Sequence, residues 1–133
     1  DSYKQLTSIH DVVIVEGIGG IMTPISKNYF VSDLIADLQM NTIIVTGSKV
    51  GTMNHLMLTY QHAKEKKIPL NGFVINQNVS DGYESSNLRK QIIDLSGQMV
   101  YGAVPYQKSF DIESYVENFS NFIDISSLGF ENI

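Results

Sequence analysis

The sequence predicts an α/β protein, a parallel sheet flanked by helices, and three observations carry that prediction. Short apolar runs alternate with longer segments of helical periodicity along the 133 residues, the order expected of βαβ units. The run Val12-Val13-Ile14-Val15 is unbroken and β-branched, which suits a parallel strand covered on both faces. After the runs come residues that belong outside the carboxyl ends of strands, where open α/β sheets gather ligands: Glu16-Gly17, Gly47-Ser48, Asn76-Gln77 and Pro105-Tyr106.

The strands are expected at residues 12–15, 42–45, 72–75 and 99–104. Between and after them, four stripes fall on single helical faces: Val31, Leu34, Ile35 and Leu38; Met53, Leu56, Met57 and Tyr60; Leu88, Ile92 and Leu95; and Ile112, Tyr115, Val116 and Phe119. Each stripe is expected to cover the sheet. Asp111 can cap the last helix, Gly97 can close the third in a left-handed conformation, and the lysines near position 66 suit a helix C-terminus. Residues 76–86, rich in Asn, Ser, Asp and Gly, read as a loop.

With 43% apolar residues the chain can bury one core, and one domain over 1–133 is expected. A net charge of −5 without a basic block argues against nucleic-acid binding. The absence of cysteine excludes disulfides and thiolate chemistry, no apolar run approaches the length of a membrane span, and a cytoplasmic setting is expected. The chain starts at Asp1 and reaches an apolar run after barely ten residues, so a fragment or processed chain is expected.

Three clusters carry chemistry. In Glu16-Gly17-Ile18-Gly19-Gly20, the carboxylate can hold Mg²⁺ and successive glycine-turn N–H groups can cradle an anion. An ordinary glycine turn explains the same residues. In Lys49-Val50-Gly51-Thr52-Met53-Asn54-His55, a glycine before a helix leaves first-turn N–H groups for a carboxylate or phosphate, and Asn54 adds a donor. Thr52 also reads as a plain cap. Asn76-Gln77 offers the donor–acceptor pair that matches an adenine edge, and Val104-Pro105-Tyr106 ends the next strand, where a backbone group and a ring can frame a base. Loop chemistry and core packing account for these residues equally well.

Other chemistries fail. His55 and His62 lie about two helical turns apart with no completing ligands, which argues against zinc. No Gly-x-Ser-x-Gly elbow appears. No Gly-Lys-Ser/Thr occurs, because Lys49 precedes Gly51, so a triphosphate clamp is absent from the sequence.

Taken in order, Val15-Glu16-Gly17-x-Gly19-Gly20 with Thr23-Pro24-Ile25, Asp33-Leu34, Lys49-Val50-Gly51-Thr52-Met53-Asn54-His55 with Leu58-Thr59, and Gly72-Phe73-Val74-Ile75-Asn76 closely resemble the C-terminal half of dethiobiotin synthetases. The resemblance spans roughly residues 10–107, and the Lys-x-Gly-x-x-Asn-His stretch is its most specific part. It implies a P-loop NTPase-like fold, here incomplete because the P-loop segment is missing. It further implies a homodimer that makes dethiobiotin from 7,8-diaminononanoate, CO₂ and ATP with Mg²⁺, through a carbamate that ATP phosphorylates before ring closure. On this resemblance Glu16 would be a Mg²⁺ ligand and, with Gly17, Ile18 and Gly19, would meet the nucleotide phosphates. Asn76 and Gln77 would read adenine, framed by Val104, Pro105 and Tyr106. Gly51, Thr52 and Asn54 would bind the substrate carboxylate across the dimer interface. The family's Walker A loop and second metal carboxylate belong to an N-terminal half, so the chain alone is expected to be inactive. Gln77 stands where relatives often carry an acid, and Ile18 replaces a small residue. A catalytically silent sensing module of the same fold and a cobyrinate-type amide synthase are the alternatives, and the Asn54-His55 helix entrance favours the synthetase over both.

Overall fold

A computed structural model describes residues 2–109 and 111–128. A short helix α1 (Ser2–Thr7) leads into an irregular segment, followed by a small antiparallel pair, β1 (Pro24–Ser26) and β2 (Tyr29–Phe30). The chain continues through α2 (Val31–Leu38), β3 (Thr42–Thr46), α3 (Thr52–Glu65), β4 (Leu70–Asn76), α4 (Ser85–Ser96) and β5 (Val100–Val104), then α5 (Ile112–Asn118) and two single 3₁₀ turns. β3, β4 and β5 form a parallel sheet in that order, joined by α3 and α4. This is the α/β architecture that the alternating pattern predicts.

β4 is central, and its alternate residues face two cores. Phe73 and Ile75 pack with Leu56 and Tyr60 of α3, Leu88 and Ile92 of α4, and Val100 of β5. Val74 turns to the other face, where Tyr101, Val104 and Ile123 pack with Tyr115, Phe119 and Phe122. The β4–β5 register shifts by a residue between Phe73 and Val74, whose partners are Val100 and Gly102. Val100 and Tyr101 face opposite cores by the ordinary alternation of a strand, and the irregularity brings Tyr101 and Val104, three residues apart, into the same one. Tyr60 closes the first core by donating its hydroxyl to the Ser96 carbonyl at 2.8 Å.

The expected helix ends are present. Asp111 Oδ1 accepts the Glu113 N–H at 3.1 Å. Gly97 stands at φ 68° after α4 and donates to the Ile93 carbonyl at 2.8 Å, the left-handed closure that glycine adopts without a Cβ penalty.

Two expectations are corrected. Residues 12–15 form no strand: Ile14 is 86% and Val15 44% exposed, and neither belongs to a ladder. β-branching favours an extended backbone, but a strand also needs a neighbour to pair with, and the described residues place none beside this segment. The stripes also overreach at their ends, since Leu95, Ile112 and Val116 are exposed although Leu88 and Ile92 are buried. A short helix on a three-stranded sheet covers it only over the turns directly above the strands. Pro24 opens β1, the position in a ladder where its missing N–H matters least.

α2 is tied to α3 by two polar contacts. His62 Nε2 lies 3.2 Å from the buried Ser32 hydroxyl, and Lys66 Nζ meets Asp33 Oδ1 at 2.6 Å. Asp33 Oδ2 also accepts the Phe30 N–H at 2.8 Å, closing the first turn of α2. The Lys66 contact first, and then the Phe30 bond, hold the Asp33 carboxyl below its ordinary range. The folded state therefore releases this proton more readily than the unfolded chain. The stabilisation is complete above the unfolded carboxyl value of about 4 and fades as pH falls through the lower folded value. Asp33→Asn should accordingly flatten part of the acid limb of a melting-temperature profile, the remainder belonging to other carboxylates such as Asp124, which Ser126 and Ser127 hold low. An unchanged acid limb would remove this pair from acid stability.

Candidate functional site

The carboxyl ends of β4 and β5 lie side by side because the strands are parallel, and the Gln77 N–H extends their pairing by donating to the Val104 carbonyl at 2.9 Å. Beyond that bond opens a cavity of about 280 Å³ lined by Asn76, Gln77, Asn78, Val104, Pro105, Tyr106, Gln107 and Tyr115. All five residues expected to read and frame a base line this one wall. Its volume is at the small end of the range of roughly 300–1,000 Å³ typical of ligand clefts. Its lining combines the carboxamides of Asn76, Gln77, Asn78 and Gln107 with the rings of Tyr106 and Tyr115. Tyr115 packs against Phe119 and Phe122 at centroid distances of 5.7 and 6.3 Å, so its ring belongs to a prebuilt wall.

Sequence reasoning missed Asn78, Gln107 and Tyr115. Asn78 belongs to an Asn-Gln-Asn run that reads as loop, and Tyr115 carries a pure core signal in its helical stripe. Neither pattern says that the residue also faces a cavity.

The second cluster starts α3. Gly51 precedes the helix at φ 93°, a left-handed conformation that glycine tolerates, and no side chain caps the first turn. The positive end of the helix dipole is thus open to an anion, beside the exposed Asn54. Thr52 points the other way. Its buried hydroxyl donates to the Gly47 carbonyl at 3.0 Å and lies 2.8 Å from the Thr46 hydroxyl, so it fixes the helix start from inside. A cavity of about 320 Å³ borders the same turn, lined by Lys49, Val50, Val79, Asp81 and Gly82.

Glu16, Gly17, Ile18 and Gly19 are exposed on the irregular segment and line neither cavity. Gly17 abuts Val31, and Gly19, at φ 74°, faces the Thr23 side chain. The expectation that Glu16 stands at a strand tip is corrected with the strand itself. Among the described residues no three His, Asp or Glu side chains converge on a metal-sized site, and no helix is long and apolar enough to cross a membrane.

A family model described as an AAA domain matches residues 1–114. The chain is 42% identical over 127 residues to the ATP-dependent dethiobiotin synthetase BioD of Nitrosopumilus maritimus, covering 96% of this chain and 56% of that protein. It is 33% identical to the protein of the same name from Bacillus velezensis, over 94% of this chain and 54% of the relative. For that of Methanocaldococcus jannaschii the identity is 33%, over 85% and 54%. The chain thus spans a little over half the length of these curated relatives.

Proposed function

The chain belongs to the AAA domain family and is similar to ATP-dependent dethiobiotin synthetases, and from that premise we propose that it supplies the base-reading and acid-binding part of such an enzyme. Residues 1–133 are the C-terminal portion of an ATP-binding domain. The complete protein, a cytoplasmic homodimer, condenses CO₂ with 7,8-diaminononanoate using ATP. The observation that carries this reading is the cavity at the ends of β4 and β5, which unites Asn76, Gln77, Val104, Pro105 and Tyr106.

Asn76 and Gln77 present donors and acceptors to the adenine edge, while Val104, Pro105 and Tyr106 fix the plane of the ring. At the start of α3 the Thr52 N–H is donated to the Lys49 carbonyl at 3.0 Å, so the N–H groups of Met53 and Asn54 meet the carboxylate, the Asn54 side chain donates to it, and Thr52 holds the turn in place. Glu16, with Gly17, Ile18 and Gly19, meets the phosphates. Mg²⁺ commonly takes one or two carboxylates together with substrate oxygens and water, and the exposed Glu16 offers one such carboxylate. Glu16 would hold the ion. When bound, the ion supplies positive charge against the phosphate oxygens. The phosphate clamp itself is not among these residues, so this chain by itself does not turn over.

In the complete protein, Asn76→Ala should weaken ATP binding by roughly 5- to 100-fold, the cost of leaving one hydrogen-bonding edge unmet, with diamine affinity held. Asn54→Ala should do the reverse. Calorimetric titration of both ligands against both variants decides it, and equal loss of both ligands in either variant contradicts the assignment.

A further inference from the structure

We propose that Asn78 is a positioning residue that ties the base cavity to the start of α3, so that a purine nucleotide in the cavity is felt at the acid-binding turn. The inference rests on the nucleotide reading above and adds to it a physical link between the two sites.

The link is a single peptide plane. The peptide between Gly47 and Ser48 donates its N–H to Asn78 Oδ1 at 3.2 Å, and its carbonyl accepts the Thr52 hydroxyl at 3.0 Å. Asn78 lines the cavity, and Thr52 opens α3. Because a peptide unit is planar and rigid, a tilt imposed at its N–H is delivered at its carbonyl. An N–H can only donate, so the carboxamide of Asn78 must turn its oxygen to Ser48. Its nitrogen, which has no partner among the described residues, is then the donor for whatever occupies the cavity.

The loop containing Asn78 grips this plane closely, and two glycines make that possible. A Cβ on Gly47 would stand 2.9 Å from Asn78 Oδ1, and one on Gly82 would stand 2.6 Å from the Ser48 carbonyl oxygen. That same oxygen accepts the Tyr83 N–H at 2.8 Å. Ser48 is fully buried between the two loops, with its own hydroxyl unpartnered. Movement of the loop at 78–83 therefore cannot leave Ser48 behind. Coupling of this kind is reciprocal, so occupancy at either end biases the other by the same factor.

The test is a two-dimensional amide NMR titration of the complete protein with ADP. The expected result is a shift of the Asn76, Gln77 and Gln107 amides, accompanied with the same midpoint by Ser48 and Thr52. In Asn78→Ala and Asn78→Leu the Ser48 and Thr52 responses should be lost while those of Asn76 and Gln107 persist. Asn78→Asp keeps the acceptor for Ser48 but loses the donor to the cavity, so it should hold the ligand-free Ser48 and Thr52 amide positions near those of the unsubstituted protein while still losing their response to ADP, an outcome that a general packing role would not give. A cavity response without any at Ser48 and Thr52 in the unsubstituted chain overturns the inference alone, as does an undiminished Ser48 response in Asn78→Ala. Silence at Asn76 and Gln107 as well overturns the nucleotide reading and this inference with it.

Discussion

Replacing Phe73 with alanine is expected to cost about 3–5 kcal/mol of folding stability, enough to leave a substantial fraction of the chain unfolded at physiological temperature. Phe73 is 0% exposed on the central strand β4 and packs between α3 and α4, with its ring 6.0 Å from that of Tyr60. Truncation removes its apolar burial and leaves a cavity among Leu56, Leu88 and Ile92, whose backbones are held by helix and sheet and cannot collapse into it. Domains of this size have roughly 5–15 kcal/mol in hand, so the loss is a large share of the whole. Urea unfolding followed by circular dichroism measures it. Phe73→Leu should lose far less, because most of the volume is kept. A loss below about 1 kcal/mol in the alanine variant would show that the core closes around the smaller side chain.

Gly102→Ala is expected to cost about 2–4 kcal/mol and to weaken nucleotide binding together with stability. β5 passes the returning C-terminal segment so closely that a Cβ at Gly102 would run into the Phe122 carbonyl. Two hydrogen bonds flank that contact: Ala103 N–H to the Phe122 carbonyl at 3.1 Å and Asp124 N–H to the Tyr101 carbonyl at 2.8 Å. One methyl group therefore forces the segment off the strand, breaking both bonds and uncovering the buried Ile123. Tyr115 leans on Phe122 and lines the cavity, so a wall of the proposed base site moves with it. Thermal unfolding and an ADP titration of the same sample test both halves. A variant with an unchanged melting temperature would mean that the Phe122 segment is not seated on β5.

That five of the proposed base-site residues share one cavity was legible in the sequence. Asn76, Gln77, Val104, Pro105 and Tyr106 could be named because parallel strands bring their carboxyl ends to one edge of the sheet, and the structure lines one cavity with all five. Asp111 and Gly97 were legible because capping is a local transaction within one turn. Asn78 was not. Its role depends on the Gly47–Ser48 peptide, thirty residues away in the chain, and nothing in its neighbours announces that partner.

The order of elements from α2 to α5, the faces of α3 and α4 that go inward, and the residues gathered at the ends of β4 and β5 were already written in the sequence, since periodicity and end-signals act over a few positions. Tertiary contact alone decided three other matters. It left residues 12–15 without a ladder, folded Phe122 and Ile123 back onto β5, and made Tyr115 a cavity wall as well as a core residue. Each depends on which distant backbone is available to pair or pack, and a side chain's own preferences cannot encode a neighbour that is remote along the chain.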